Sequence, residues 1–221
     1  MIPLRDVIPS RTFPLVTITI IVLNALAWML ELSLSPPDLE RFLFAYGVVP
    51  ANFHAATLFT SMFLHGGWMH ILGNMWYLWI FGDNVEDQFG HGKFVIFYLF
   101  CGVAAAFGQI LLNANSMLPT IGASGAIAGV MGAYFIMYPH SRVLTLIPIF
   151  LYDVIEVPAI VLLGFWFLMQ LFNAGAVAAS TSGTGGGVAF AAHVAGFLVG
   201  MAGVFVFRKR DARWDQIGTG D

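Results

Sequence analysis

Charged residues are so widely spaced along this chain that its hydrophobic pattern consists of long unbroken runs. Between Arg11 and Glu31 lie 19 uncharged residues, between Arg41 and Asp83 there are 41, between Lys93 and Arg142 48, and between Glu156 and Arg208 51. A membrane-spanning helix needs about 20 apolar residues. The first run therefore predicts one helix, and each of the last two predicts a pair. Residues 113–119 interrupt the third run and residues 179–187 the fourth, and both stretches are rich in turn formers.

Six transmembrane helices are expected, at 13–32, 68–83, 91–112, 121–138, 155–173 and 188–207. The 41-residue run is too long for one span and too short for two with a loop. Residues 42–67 should therefore form a partly embedded segment ahead of the second helix. Non-helical backbone at membrane depth must be buried in protein or line a wet cavity. The fold class is an all-α polytopic membrane protein with one domain over residues 1–221, of which 208–221 form a cytoplasmic tail.

Composition points the same way: 59% of residues are hydrophobic and 10% charged, against about 25% charged in soluble domains. Arg5, Arg11, Lys93, Arg142, Arg208, Lys209, Arg210 and Arg213 fall on one side of the predicted topology, leaving Arg41 for the other. Basic residues near helix ends stay cytoplasmic, so both termini are expected inside. The Arg-Lys-Arg cluster reads as a stop-transfer signal beside a helix end, with the lipid bilayer as partner and no nucleic acid. Arg5 and Arg11 before an apolar stretch, with Ala25-Leu26-Ala27, suggest a signal peptide. The stretch continues through Trp28-Met29-Leu30, which suits a retained helix better. Cys101 is the single cysteine, so no disulfide within the chain is possible.

With the amino terminus inside, the second, fourth and sixth helices all run from outside to inside. His70, Ser124 and His193 then lie roughly 3 to 8 Å below the outer ends of those helices, at 1.5 Å per residue. Ionisable side chains within a membrane are costly and mark function. Gly125, Gly129 and Gly132 form a small-residue face on the fourth helix, and His193 continues the face of Gly196 and Gly200 on the sixth. Such faces let membrane helices approach closely, which would turn His193 toward Ser124.

Serine is a weak nucleophile that needs an adjacent base, and a neutral imidazole can serve. No acidic residue lies in the outer halves of the second, fourth or sixth helix, because Asp153 and Glu156 belong to the cytoplasmic end. The expected unit is thus a Ser124–His193 dyad rather than a triad. His70 and Asn74, four apart on one helix face, can donate to a developing oxyanion, as can the amide of Ser124 at the start of its helix. His65 is expected to act as a structural donor in the embedded loop. His54, His91 and His140 fall in loops facing solvent. Zinc held by His65, His70 and His193 is disfavoured, since no His-Glu-x-x-His motif or nearby carboxylate accompanies them. No metal or cofactor is expected.

His65-Gly-Gly-Trp-Met-His70-Ile-Leu-Gly-Asn74, Gly122-Ala-Ser124-Gly125 and Ala192-His193-Val-Ala-Gly196-x-x-x-Gly200 together resemble the rhomboid family of intramembrane serine proteases. The order, spacing and helix count extend the resemblance over residues 13–207. Pro50 in Tyr46-Gly-Val-Val-Pro50 and Trp166 in Gly164-Phe-Trp166 also look like the family. The resemblance implies a six-helix bundle with Ser124 as nucleophile, His193 as base, and His70 and Asn74 as oxyanion-stabilising residues. The implied substrate is a transmembrane segment of another membrane protein, cut near the outer face of a prokaryotic cell membrane.

Two positions depart from the family pattern. Ala56-Thr57 stand where many members carry Trp-Arg in the first loop. Ala128, four residues after the serine, replaces an aromatic ring that often stacks on the histidine, so His193 should be oriented by other contacts. The competing reading is a rhomboid-like protein that binds membrane clients without cutting them, but such relatives characteristically lack the serine or the histidine. A small transporter fits less well, since no inverted repeat or broken-helix pair is visible.

Overall fold

The computed structural model of the chain describes residues 1–147, 153–179 and 188–209. Its helices are α1 (Leu15–Ser33), α2 (Pro36–Tyr46), α3 (Thr57–Thr60), α4 (Trp68–Phe89), α5 (His91–Leu112), α6 (Ser124–Met137), α7 (Ala159–Ala179) and α8 (Phe190–Phe207). Three strands, β1 (Ile2–Asp6), β2 (Arg142–Ile147) and β3 (Asp153–Pro158), complete the described elements. Helices α1, α5, α7 and α8 are long and apolar enough to cross a membrane, and α6 is shorter but equally apolar. Helix α4 matches them in length but carries Asp83, Glu86 and Asp87 in its last turns. The chain is an integral membrane protein.

Helix α6 is the centre of the bundle, with Gly125 to Tyr134 all buried. It packs against α4, α5 and α8. Glycine makes the closest of these approaches possible. A Cβ placed on Gly196 would overlap the Gly125 carbonyl, one on Gly200 the Gly129 carbonyl, and one on Gly132 the Phe197 carbonyl. The two backbones therefore touch along three successive points, as small-residue faces in membranes allow.

At the end of the bundle away from Ser124, carboxylates replace missing helix caps. Pro14 precedes α1 and supplies no side-chain cap, leaving the first amides of α1 without partners. Glu86 of α4 accepts the amides of Val16 and Thr17 at 2.9 and 2.8 Å and the Thr17 hydroxyl at 2.7 Å. Asp87 accepts the amides of Arg11 and Thr12 and the Thr12 hydroxyl. Lys209, just beyond α8, donates its Nζ to the Asp87 carbonyl at 2.8 Å. Arg11 and Lys209 thus share one end of the bundle with the α4–α5 corner.

Several expectations are corrected. The chain is not wholly α: β1, β2 and β3 form an antiparallel sheet in that order. Residues 155–158, expected to open the fifth helix, lie in β3, and that helix runs instead over α7. Val143, Thr145, Ile147, Val154, Ile155 and Val157 are β-branched residues that suit a pleated surface, and a search for uncharged runs is blind to that signal. The second helix continues to Phe89, leaving Gly90 as the only break before α5, so Lys93 lies within a helix. Residues 42–67 contain the end of α2, the short α3 and two single-turn 3₁₀ segments, with Val48, Leu58, Met62, Leu64 and His65 buried. Of the turn expected at 179–187, Ala179 ends α7 and the rest lies outside the described residues, as do Arg210, Arg213 and most of the tail at 208–221.

Candidate active site

The site is assembled from α4, α6, α7 and α8 and the segment before α6. Ser124 is the first residue of α6, where backbone amides have no partner within the helix. Its Oγ lies 2.8 Å from Nε2 of His193, one turn into α8. Gly125 follows Ser124 directly and Gly196 lies one turn beyond His193, so the closest approach of the two backbones stands beside the pair.

His193 is buried and held on two further sides, both from α7. Its Nδ1 lies 2.8 Å from Oε1 of Gln170. The Trp166 ring lies at 5.7 Å between centroids, inclined by 35°. Ala128 cannot serve as a ring contact: it is fully buried and faces α8, 3.4 Å from the Cβ position of Gly196. Trp166 and Gln170, one turn apart, therefore supply the contacts that position 128 does not.

His70 and Asn74 face the same cavity from α4. Nδ1 of His70 accepts the Gly66 amide at 3.2 Å, which leaves the proton of the neutral ring on Nε2. That Nε2–H edge lies against Gly122, where a Cβ would meet Nε2 at 2.7 Å and Cε1 at 2.8 Å while lying 3.6 Å from the Ser124 Oγ. Gly122 also has φ +124°, a conformation that side chains disfavour. Both features demand glycine immediately before Ala123-Ser124. The Asn74 Nδ2 is buried with no hydrogen-bond partner, so it is a donor not yet engaged.

A cavity of about 910 Å³ joins these groups, with His70, Asn74, Ser124, Met131, Trp166 and His193 among its lining residues. It runs between α4 and α7. The first loop, which meets the cavity at Gly66, is anchored without a Trp-Arg pair: Thr57 and Thr60 donate their hydroxyls to the His54 and Tyr46 carbonyls at 2.7 and 2.6 Å. The loop is also bridged to the segment before α6 by Val48 and Thr120 and by the Gly122 amide donating to the Ser61 carbonyl at 2.8 Å.

The other histidines differ in part from expectation. His65 is not a side-chain donor, because both ring nitrogens are buried without a partner; its backbone amide donates to the buried Glu31 carboxylate at 3.1 Å. His54 and His140 are exposed. His91 is not a loop residue but opens α5 and meets Glu86 at 2.5 Å. Sequence reasoning did not single out Gln170 or Glu31. Gln170 stands four residues after Trp166, one of two amides with Asn173 in a mostly apolar helix, and that spacing was the available signal. Glu31 closes the first apolar run and served there only as its boundary.

Together these features define a helical membrane protein with a hydrogen-bonded serine and histidine inside its bundle. Residues 52–210, well over half of the chain, match the Rhomboid domain family model, and the chain belongs to the rhomboid family. It is 28% identical over 198 residues to Rhomboid-like protein 11, chloroplastic, of Arabidopsis thaliana, covering 84% of this chain and 66% of that protein. Rhomboid protein 1, mitochondrial, of Saccharomyces cerevisiae is 27% identical over 171 residues, 75% of this chain and 46% of that one. Rhomboid protease GluP of Bacillus subtilis is 38% identical over 76 residues, 34% of this chain and 14% of its own. The chain thus spans less than two thirds of each of these relatives. They come from chloroplast, mitochondrion and bacterium alike, and lend no support to a prokaryotic membrane in particular.

Proposed function

We propose that this protein is an intramembrane serine endopeptidase that cleaves transmembrane segments of other membrane proteins. The observation that carries the reading is the 2.8 Å contact between Ser124 Oγ and His193 Nε2 on the wall of a cavity within the bundle. In this reading His193 takes the Ser124 proton as the oxygen attacks a carbonyl, then returns it to the leaving amine. The Nε2–H of His70 and the free Nδ2 of Asn74 stabilise the oxyanion that forms. Membership of a family that includes a protein named as a protease supports it.

The remaining topology belongs to the same proposal. Six spans, with α4 and α6 joining the four most apolar helices, put both termini on the cytoplasmic side by the distribution of basic residues. The site then opens toward the outer face. A substrate helix enters sideways between α4 and α7 and unwinds locally, because a helical carbonyl is hydrogen-bonded and shielded. Glycine or proline below the scissile bond should speed cleavage.

The test is turnover of a model single-span substrate by purified protein in detergent, with Ser124→Ala and His193→Ala alongside. Cleavage abolished by either change is expected, with the double variant scarcely worse, since the pair acts as one unit. Binding of the substrate without cleavage, equal in wild type and Ser124→Ala, would favour a client-binding protein instead.

A further inference from the structure

We infer that Gln170 is the positioning residue of the histidine, standing where an acid would complete a triad. The inference rests on the protease reading and extends it to a residue outside the reacting pair. An amide oxygen can only accept, so the 2.8 Å contact from Gln170 Oε1 requires the proton on Nδ1 of His193. Nε2 then carries a lone pair, and it is Nε2 that lies 2.8 Å from Ser124 Oγ. The hydrogen bond made by one ring nitrogen decides the state of the other. Gln170 thus selects the tautomer in which His193 can act as a base.

The choice of an amide follows from the surroundings. Helix α7 is long and apolar enough to cross a membrane, where a carboxylate would be costly. An amide orients the ring with no formal charge. It does so at the expense of weaker stabilisation of the imidazolium that forms when the serine proton arrives. Trp166, one turn away on the same face, packs on the ring and limits its rotation. The groups that meet His193 are thus Gln170 and Trp166 from α7 and Ser124 from α6, with His70 of α4 the titratable side chain across the cavity.

Two substitutions test the inference. Gln170→Leu removes the acceptor, and it should lower kcat on the order of 10²-fold with KM unchanged, as a small misplacement of a reacting group does. The labelling rate of Ser124 by a fluorophosphonate should fall in parallel. In a His193→Ala background Gln170→Leu should cause no further loss. Gln170→Glu keeps an acceptor in place and, ionised, favours the imidazolium, so it should retain the dyad and move the acid limb of the kcat profile to higher pH. Should Gln170→Leu fail to fold, the pH profile of Gln170→Glu decides alone. Wild-type kcat and labelling in Gln170→Leu, or a Gln170→Glu profile that does not move, would overturn the inference while leaving the protease intact. A wild-type protein that neither cleaves nor labels at Ser124 would overturn the protease reading and this one with it.

Discussion

The distance between Ser124 and His193 depends on bare backbone contact, and Gly196→Ala tests that dependence with one methyl group. The added Cβ would overlap the oxygen of Gly125 and lie 3.1 Å from its carbonyl carbon. The obstacle is main chain within a helix, so no side-chain rotation relieves it. α6 and α8 must separate by roughly 1 Å, and a misplacement of that size costs on the order of 10² in rate, or about 2.7 kcal/mol of barrier. Gly125 adjoins Ser124 and Gly196 lies one turn from His193, so the separation passes almost undiminished into the dyad. Gly196→Val should be worse on both counts. The measurement is kcat and KM on a single-span substrate together with thermal unfolding in detergent. The loss should fall on kcat, because Gly196 does not line the cavity, and overpacking should lower stability by about 1–3 kcal/mol. Gly175→Ala is the control, since a Cβ there meets nothing within 4 Å. Normal kcat and unfolding temperature in Gly196→Ala would show that the glycine contact does not set the Ser124–His193 distance.

Three further outcomes are expected. Gly122→Ala should cost about 10² in kcat, because its Cβ would displace the His70 ring from the position of an oxyanion donor; an unimpaired enzyme would remove His70 from that role. Glu86→Ala should destabilise the fold by about 2 kcal/mol by uncapping α1, seen as a lower unfolding temperature in detergent, with Glu86→Gln intermediate. Burial pushes the Asp6 carboxyl up to about 7, against the opposing effect of the hydrogen bond from the Tyr134 hydroxyl. The folded state therefore holds this proton more tightly than the unfolded chain, and its stabilising effect, full below about pH 4, should be lost as pH rises through 7. Unfolding free energy that does not fall between pH 4 and 7, or that falls as steeply in Asp6→Asn, would contradict that assignment.

The features legible in the sequence were those written in charge spacing and in the glycine–histidine register. Uncharged runs located α1, α5 and α8 to within two residues, because a span must be apolar throughout. The lower part of α4 was missed for the complementary reason. Asp83, Glu86 and Asp87 looked like the end of a helix, whereas Glu86 and Asp87 reach across to cap α1 and hold the residues before it. The sheet was missed because β1 pairs with β2 across some 140 residues of sequence, and nothing local to either strand announces that pairing. The Ser124–His193 proximity could be argued from two glycine faces, since close approach is a property of both helices. The Gln170 contact needed a third helix in a known rotation about its axis, which residue type alone does not supply.

The two ends of the bundle treat polar groups by different rules, and the difference bears on how the site works. At the end holding Arg11 and Lys209, Glu86 and Asp87 are spent on backbone amides and hydroxyls, fixing α1 to α4. At the other end the side chains around the serine and histidine are neutral: a hydroxyl from Ser124, an imidazole from His193 and two amides from Asn74 and Gln170, with His70 completing the set. The Glu31 carboxylate accepts the His65 amide and ties the loop before α4 to α1. In the proposed reaction a permanent charge beside Ser124 would demand solvation in a site that must also accept an apolar helix. Neutral donors and acceptors avoid that demand, and charge then arises only when the serine proton moves to His193. Glu86 and Asp87, which cap α1 and hold the residues before it, are thus kept the length of α4 away from His70 and Asn74.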